Sequence, residues 1–326
     1  MNGGHLGIGT TSPDNSAELT ILGAVYQDAG TSGAGNVNYG SGSLAHTSGR
    51  GNYAGSYSTA IGFQSMNLLS GNAHRNTAVG YRSMYGDSTG TEGTDNTAVG
   101  KNAIQFNQAG DKNTAVGFEA LRGGSASNTF YYDNVAVGHK ALQKIENGND
   151  NVAVGTDASR ENTSGNNNVA IGSFALGQNT SGTQNTVIGR SALSTATTPS
   201  GNVVIGYNAG AVLNSAFISG LTIVGNEAAK YTEAYGTTAI GHTALQDNTS
   251  GAGNTAVGYF AAREITTGGG NTVMGMQSMF NSAVDISNNT AIGYYALQAN
   301  TTGTYNVAVG HQALDANTTG ADNVAM

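Results

Sequence analysis

The chain contains no cysteine and no tryptophan, and only two prolines interrupt its 326 residues. Without cysteine there can be no disulfide framework, zinc ribbon or thiol nucleophile. Charge is scarce too: 12 Lys+Arg and 20 Asp+Glu make up 10% of the chain, where a quarter is ordinary. The net charge of −8, with no basic cluster, argues against a nucleic-acid partner. Apolar runs stay short of the ~18 residues that a membrane span needs, so no membrane insertion is expected of this segment. Disorder combines low hydrophobicity with high charge, and the second half of that combination is missing. Glycine is the abundant residue, at 50 copies. It does not recur every third position, which excludes collagen.

Length alone points to two globular domains. Self-similarity overrides that expectation. NTAVG occurs at 76–80, 96–100, 113–117 and 254–258, and close variants (NVAVG, NVAIG, NTVIG, NVVIG, NTVMG, NTAIG) fill the intervals. From Gly62 to Gly310 the closing glycine returns at a mean spacing near 17.7 residues, and eight of the fourteen intervals are 17. This is a repeat protein.

Each unit reads N-[TV]-A-[VI]-G-x-x-A-[LM], followed by a polar stretch such as NTSG at 162–165 or NTTG at 300–303. A 17-residue period is too short for helix-pair repeats. A β-prone run, a glycine, a small apolar pair and an Asn/Thr/Gly turn suit one coil of a β-solenoid. The expected fold is all-β: a parallel β-roll of about 15–16 coils, with two short strands per coil stacked at ~4.8 Å. The division predicted is an N-terminal fibre segment, 1–51, with short strands and a glycine-rich connector, then a repeat domain, 52–326. The next glycine falls due at 327, and Met1–Leu6 has no hydrophobic signal region. The chain therefore reads as part of a longer fibre.

In NTAVG the Thr or Val and the Val or Ile two places on share one face, and the central alanine faces the other way. Both faces are apolar in every coil. One fills the coil interior and the other needs a cover. The small alanines suit close approach of another backbone, so Ala78, Ala98, Ala115, Ala136, Ala153, Ala170, Ala239, Ala256, Ala291 and Ala308 are the expected interface of a homo-oligomer. The third residue after each glycine is always Ala or Ser, which implies a tight interior space. The glycines themselves suit a turn at positive φ.

The recurring A-[VI]-G-x-x-[AS] core resembles the head repeats of trimeric autotransporter adhesins of the YadA type. That resemblance covers about residues 52–326 and implies a left-handed parallel β-roll assembled as a homotrimer. GIGTTSP at 7–13, followed by AELTILG at 17–23, resembles a segment of bacteriophage tail fibres and related bacterial surface fibres.

The residue directly after each glycine varies among Lys, Arg, His, Ser and aromatics, as expected of an exposed stripe. Tyr81, Phe118, Tyr207, Tyr259 and Tyr294 belong to it, as does Phe63. Rings packed over neighbouring coils are one reading of it; a sugar- or peptide-binding strip is the other. His139, His242 and His311 share the stripe but lie several coils apart, and no metal site is expected. The longest insertion, before Gly138, places Phe130, Tyr131 and Tyr132 together in a loop that needs a cover or a partner. No GxSxG, HExxH or Walker A string occurs, and no paired-carboxylate motif recurs. No cofactor and no catalysis are expected, and the sequons at Asn162 and Asn300 are read as turn chemistry. The expected function is extracellular attachment to a host glycan or protein receptor, by a phage tail fibre or a bacterial surface fibre. A passive shaft with no specific ligand is the alternative, and a polysaccharide hydrolase the weakest reading.

Overall fold

The computed structural model describes residues 26–28, 36–41, 43, 56–67, 73–86, 93–106, 110–124, 130–212, 218–281 and 285–326. Both fibre-like strings, 7–13 and 17–23, lie outside the described residues. Among the described residues there is no helix, and the strands form one 18-stranded sheet.

β1 (Tyr26–Asp28) pairs antiparallel with β2 (Asn36–Tyr39), and β2 pairs parallel with β3 (Thr59–Ile61). From there the strands are parallel and in register to Val324–Ala325, each sheet neighbour one repeat further along the chain. The chain is a parallel β-solenoid of about 14 turns. Its stack begins before residue 52. Asn36–Gly40 reads NVNYG, a degenerate copy whose Val37, Asn38 and Tyr39 pair with Thr59, Ala60 and Ile61. Asn38 in place of alanine hides that copy from the sequence pattern.

Each coil holds one strand, not the two expected. The second stretch, after the glycine, is a ladder of turns. Its second and fourth residues take φ near +50°, as at Lys140 (56°) and Leu142 (49°), which is incompatible with an extended strand. Hydrogen bonds still join the coils there: the Lys140 N–H donates to Phe118 O of the coil before, and the Leu142 N–H to Ala158 O of the coil after. Alternation of backbone hand thus satisfies polar groups in both directions along the axis.

The glycine corner depends on glycine twice over. Gly206 has φ +139°, and a Cβ there would lie 2.1 Å from the carbonyl oxygen of Gly225 in the next coil. The corner is therefore a column of backbone stacked on backbone.

The interior is narrow. The middle residue of each strand and the third and fourth residues after each glycine meet inside it. Ala136, Ala141 and Leu142 are all fully buried. The expectation of a tight space behind the invariant Ala or Ser is met at Ser65, Ser83 and Ala103 as well. Where Gly210 replaces the usual leucine, the strand supplies Val204 instead of alanine, and Ile223 fills from the next coil, its Cδ1 3.3 Å from where a Gly210 Cβ would be.

Candidate functional site

The strand faces are assigned the other way round from the sequence expectation. Ala78, Ala98, Ala115, Ala136, Ala153, Ala239, Ala256, Ala291 and Ala308 are 0% exposed, and Ala170 1% exposed, within a single chain. They line the coil's own interior and cannot meet a partner. The physical reason is the leucine opposite. Most coils pair a small strand residue with a large one from the turn, as Ala136 with Leu142, so it is the alanine side of the strand that packs inward. What faces outward is the Thr/Val column and the Val/Ile column. Val137, Ile171, Val203 and Ile240 are each more than a third exposed. No charged residue occurs at any of these outward strand positions from Thr59 to Val309. The result is a flat β-branched stripe that runs the length of the solenoid.

Beyond the glycine corner lies the variable stripe. Tyr81, Phe118, Tyr207 and Tyr259 are exposed there, and Tyr294 is half-buried. The rings stack along the axis. Phe63 lies on Tyr81 at 5.5 Å between centroids, Phe118 on His139 at 5.2 Å, His242 on Tyr259 at 5.2 Å and Tyr294 on His311 at 5.3 Å. Lys101 bridges the rings of Tyr81 and Phe118 at 5.7 and 5.6 Å. Five successive coils, from Phe63 to His139, are thereby joined in one ladder of π and cation–π contacts.

The aromatic triplet is split by the fold. Tyr131 is fully buried, and its hydroxyl donates to Leu121 O at 3.0 Å. Burial pushes its phenol pKa far above the ordinary value. Phe130 is exposed, and Tyr132 is half-buried with its N–H donating to Asn149 Oδ1 at 2.8 Å. The expectation of three solvated rings is therefore corrected: the middle ring is buried in the solenoid interior, in the cluster that holds Leu121, Leu142 and Ile145. Residues 125–129 of that insertion lie outside the described residues.

The residue that begins each unit has a role that the sequence pattern did not reveal. Asn113, Asn134, Asn151, Asn168 and Asn185 are buried and stacked. In each, Oδ1 accepts from the backbone N–H and the Nδ2 of the next asparagine, as when Asn168 N and Nδ2 both donate to Asn151 Oδ1 at 3.0 Å. Each Nδ2 also donates to a turn carbonyl, such as Asn168 to Gly182 O at 2.8 Å. The signal was present in the recurrence of Asn at the head of most units, where only Ser58, Leu221 and Thr237 replace it from Ser58 onward, but the pattern by itself gave it no role. A second asparagine column caps the polar turns: Asn162 Oδ1 accepts from the Gly165 N–H at 2.7 Å, and Asn300 Oδ1 from the Gly303 N–H at 2.9 Å. Both side chains are fully buried, which supports the turn reading of those sequons.

Charged groups lie mostly at the periphery. The Arg75 guanidinium, bonded to Asp95 at 2.6 and 2.8 Å, holds that carboxyl below its usual range, although the pair is exposed. Burial alone would raise the Glu161 carboxyl, but hydrogen bonds from Lys144 and Arg160 outweigh it and keep it low. Arg160 also approaches Asp157, Nη1 to Oδ1 at 3.6 Å, at one end of a cleft on the turn side of the coils. No family model matches the chain, and no curated protein matches it by sequence.

Proposed function

We propose that this chain is a segment of an extracellular fibre, in a phage tail fibre or on a bacterial surface, in which three copies associate side by side and present a surface for attachment. The observation that supports the reading is the uncharged strand face. Along about 14 turns, outward positions hold Thr, Val, Ile or Met and never a charge, which water-facing sheet does not require. Fifteen strands at ~4.8 Å and three residues at ~3.3 Å give a stripe of roughly 700 Å². That area approaches one partner's share of an ordinary stable interface, about 800 Å². The most economical cover is a second copy with the same rise per coil, because columns then meet in phase along the whole length. The number three and the left hand rest on the resemblance to the adhesin head repeats.

Attachment is the function that such a rod serves: it holds a contact surface away from its anchor, and its exposed residues repeat at regular intervals. The chain is read as a binding and structural protein with no catalytic role. A glycan array of immobilised bacterial surface polysaccharides, probed with the purified oligomer, tests the attachment reading. Retention on at least one polysaccharide is expected; an oligomer that binds none of them favours the passive shaft. A depolymerisation assay on the same polysaccharides separates the hydrolase reading from both.

A further inference from the structure

We propose that the cleft spanning the coils of Gly155, Gly172 and Gly189 is a sugar-binding subsite that takes a single pyranose residue, with Phe174 as its platform. This deepens the attachment reading and rests on it.

The sequence opens the cleft by omission. On the turn side of each coil, the second and fifth residues after the glycine face each other, and in four other coils they close on one another. Arg82 lies over Tyr85 at 5.0 Å, Arg122 meets Glu119 at 3.6 Å, Lys230 meets Glu227 at 3.1 Å and Arg263 lies over Phe260 at 5.2 Å. Here the facing pairs are Phe174 with Gly177 and Ser191 with Ser194. Glycine gives Phe174 nothing to close on, and two serines leave the next layer shallow. A cavity of about 240 Å³ results. That is below the ~300 Å³ at which drug-sized pockets begin, and of a size for one sugar ring.

Phe174 is 42% exposed, and among the described residues no ring or cation stacks on it, unlike the rings of the neighbouring ladder. At one end of the cleft Asp157 is 8% exposed, and its Oδ1 accepts no hydrogen bond. Its charge is balanced only at 3.6 Å by Arg160, whose Nε is already committed to Glu161 Oε1 at 2.8 Å. A buried carboxylate oxygen without a hydrogen-bond donor is one that a ligand hydroxyl can satisfy. Gln178, exposed, and Ser191 add an amide and a hydroxyl to the lining.

These groups match the two sides of a pyranose. Its C–H face is apolar and packs on an aromatic ring. Its rim is a ring of hydroxyls, which donate to a carboxylate and accept from guanidinium, amide and hydroxyl groups. A flat aromatic beside a fixed carboxylate and guanidinium orients one face and one edge of such a ring. Asp157 and Arg160 together are neutral, which favours an uncharged sugar over a uronate.

The test is saturation-transfer difference NMR on the intact oligomer, with methyl α-glucopyranoside, methyl α-galactopyranoside, methyl α-mannopyranoside and N-acetylglucosamine as probes. Transfer to the ring C–H protons of at least one sugar is expected. Phe174→Ala should weaken binding roughly tenfold, the worth of one aromatic contact. Ser191→Leu, which fills the cleft from the surface, should do the same, and Tyr305→Ala, far along the rod, should not. Both cleft variants are checked for an unchanged melting temperature, and Ser191→Leu decides if Phe174→Ala fails to fold. Transfer that is absent for all four sugars, or equal in the cleft variants and the parent, overturns the proposal. The two readings fail separately: polysaccharide retention that survives Phe174→Ala and Ser191→Leu places attachment elsewhere on the fibre and removes only the subsite.

Discussion

Replacing Asn168 by alanine tests the asparagine column, the least obvious support of the fold. Asn168 sits fully inside one chain, so the effect does not depend on assembly. Its Oδ1 accepts from the Asn185 N–H at 3.1 Å and from Asn185 Nδ2 at 2.8 Å, and its own Nδ2 donates to Asn151 Oδ1 at 3.0 Å and Gly182 O at 2.8 Å. Alanine keeps the backbone bond from residue 168 to Asn151 Oδ1 but removes the acceptor above. The Asn185 amide N–H is then buried with nothing to bond, and one Asn185 side-chain hydrogen with it. Gly182 O keeps a weaker donor, Asn179 Nδ2 at 3.2 Å. Each orphaned buried group costs about 1–3 kcal/mol, so the expected loss is roughly 2–5 kcal/mol. That corresponds to a fall in melting temperature on the order of 3–7 °C if the 326-residue chain melts cooperatively. Calorimetry and urea titration measure it, with Ser164→Ala, an exposed position in the same coil, as a control expected within about 0.5 kcal/mol of the parent. An Asn168→Ala protein as stable as that control would show that the ladder is geometry without energetic weight.

Three further substitutions probe other levels of the account. Gly206→Ala places a Cβ 2.1 Å from Gly225 O at φ +139°, and should cost roughly 3 kcal/mol or more in the same urea titration. Tyr131→Phe should cost about 1 kcal/mol at neutral pH through the lost bond to Leu121 O. Because the folded pKa of Tyr131 is raised, its stabilising effect is complete below the unfolded value of 10.0 and is lost as pH rises above it. The parent should thus weaken above pH 10 more steeply than Tyr131→Phe, and parallel pH–stability curves would contradict the burial argument. Neighbouring strand positions should behave oppositely: Ala170→Asp buries a charge in the chain's own interior and should prevent folding, whereas Ile171→Lys should leave the coil folded and block association, as circular dichroism and sedimentation distinguish.

The repeat, its period, the all-β class and the glycine corner were legible because backbone geometry imposes them identically on every coil. A residue such as Gly206 has no alternative in that position, so the pattern is nearly invariant. Alternation along the strand told which residues share a face but not which face is inside. That depends on the width of the coil and on the leucine contributed from the far side, which a single strand does not encode. The buried Tyr131 was misread for the same reason: three adjacent aromatics look like an exposed loop until the interior that the middle ring enters is known. The turn ladder was missed because φ near +50° at Leu142 or Lys140 runs against residue propensity and is sustained by bonds to neighbouring coils. The cleft at Phe174 was invisible because it arises from what Gly177, Ser191 and Ser194 lack across two successive repeats.

Sedimentation equilibrium of the purified chain, run beside its Ile171→Lys variant, addresses the central proposal most directly. A particle of about three times 32.8 kDa is predicted for the parent, and a folded monomer of 32.8 kDa for the variant. A parent that remains a soluble, folded monomer at micromolar concentration, with its uncharged strand face open to water, would contradict the account.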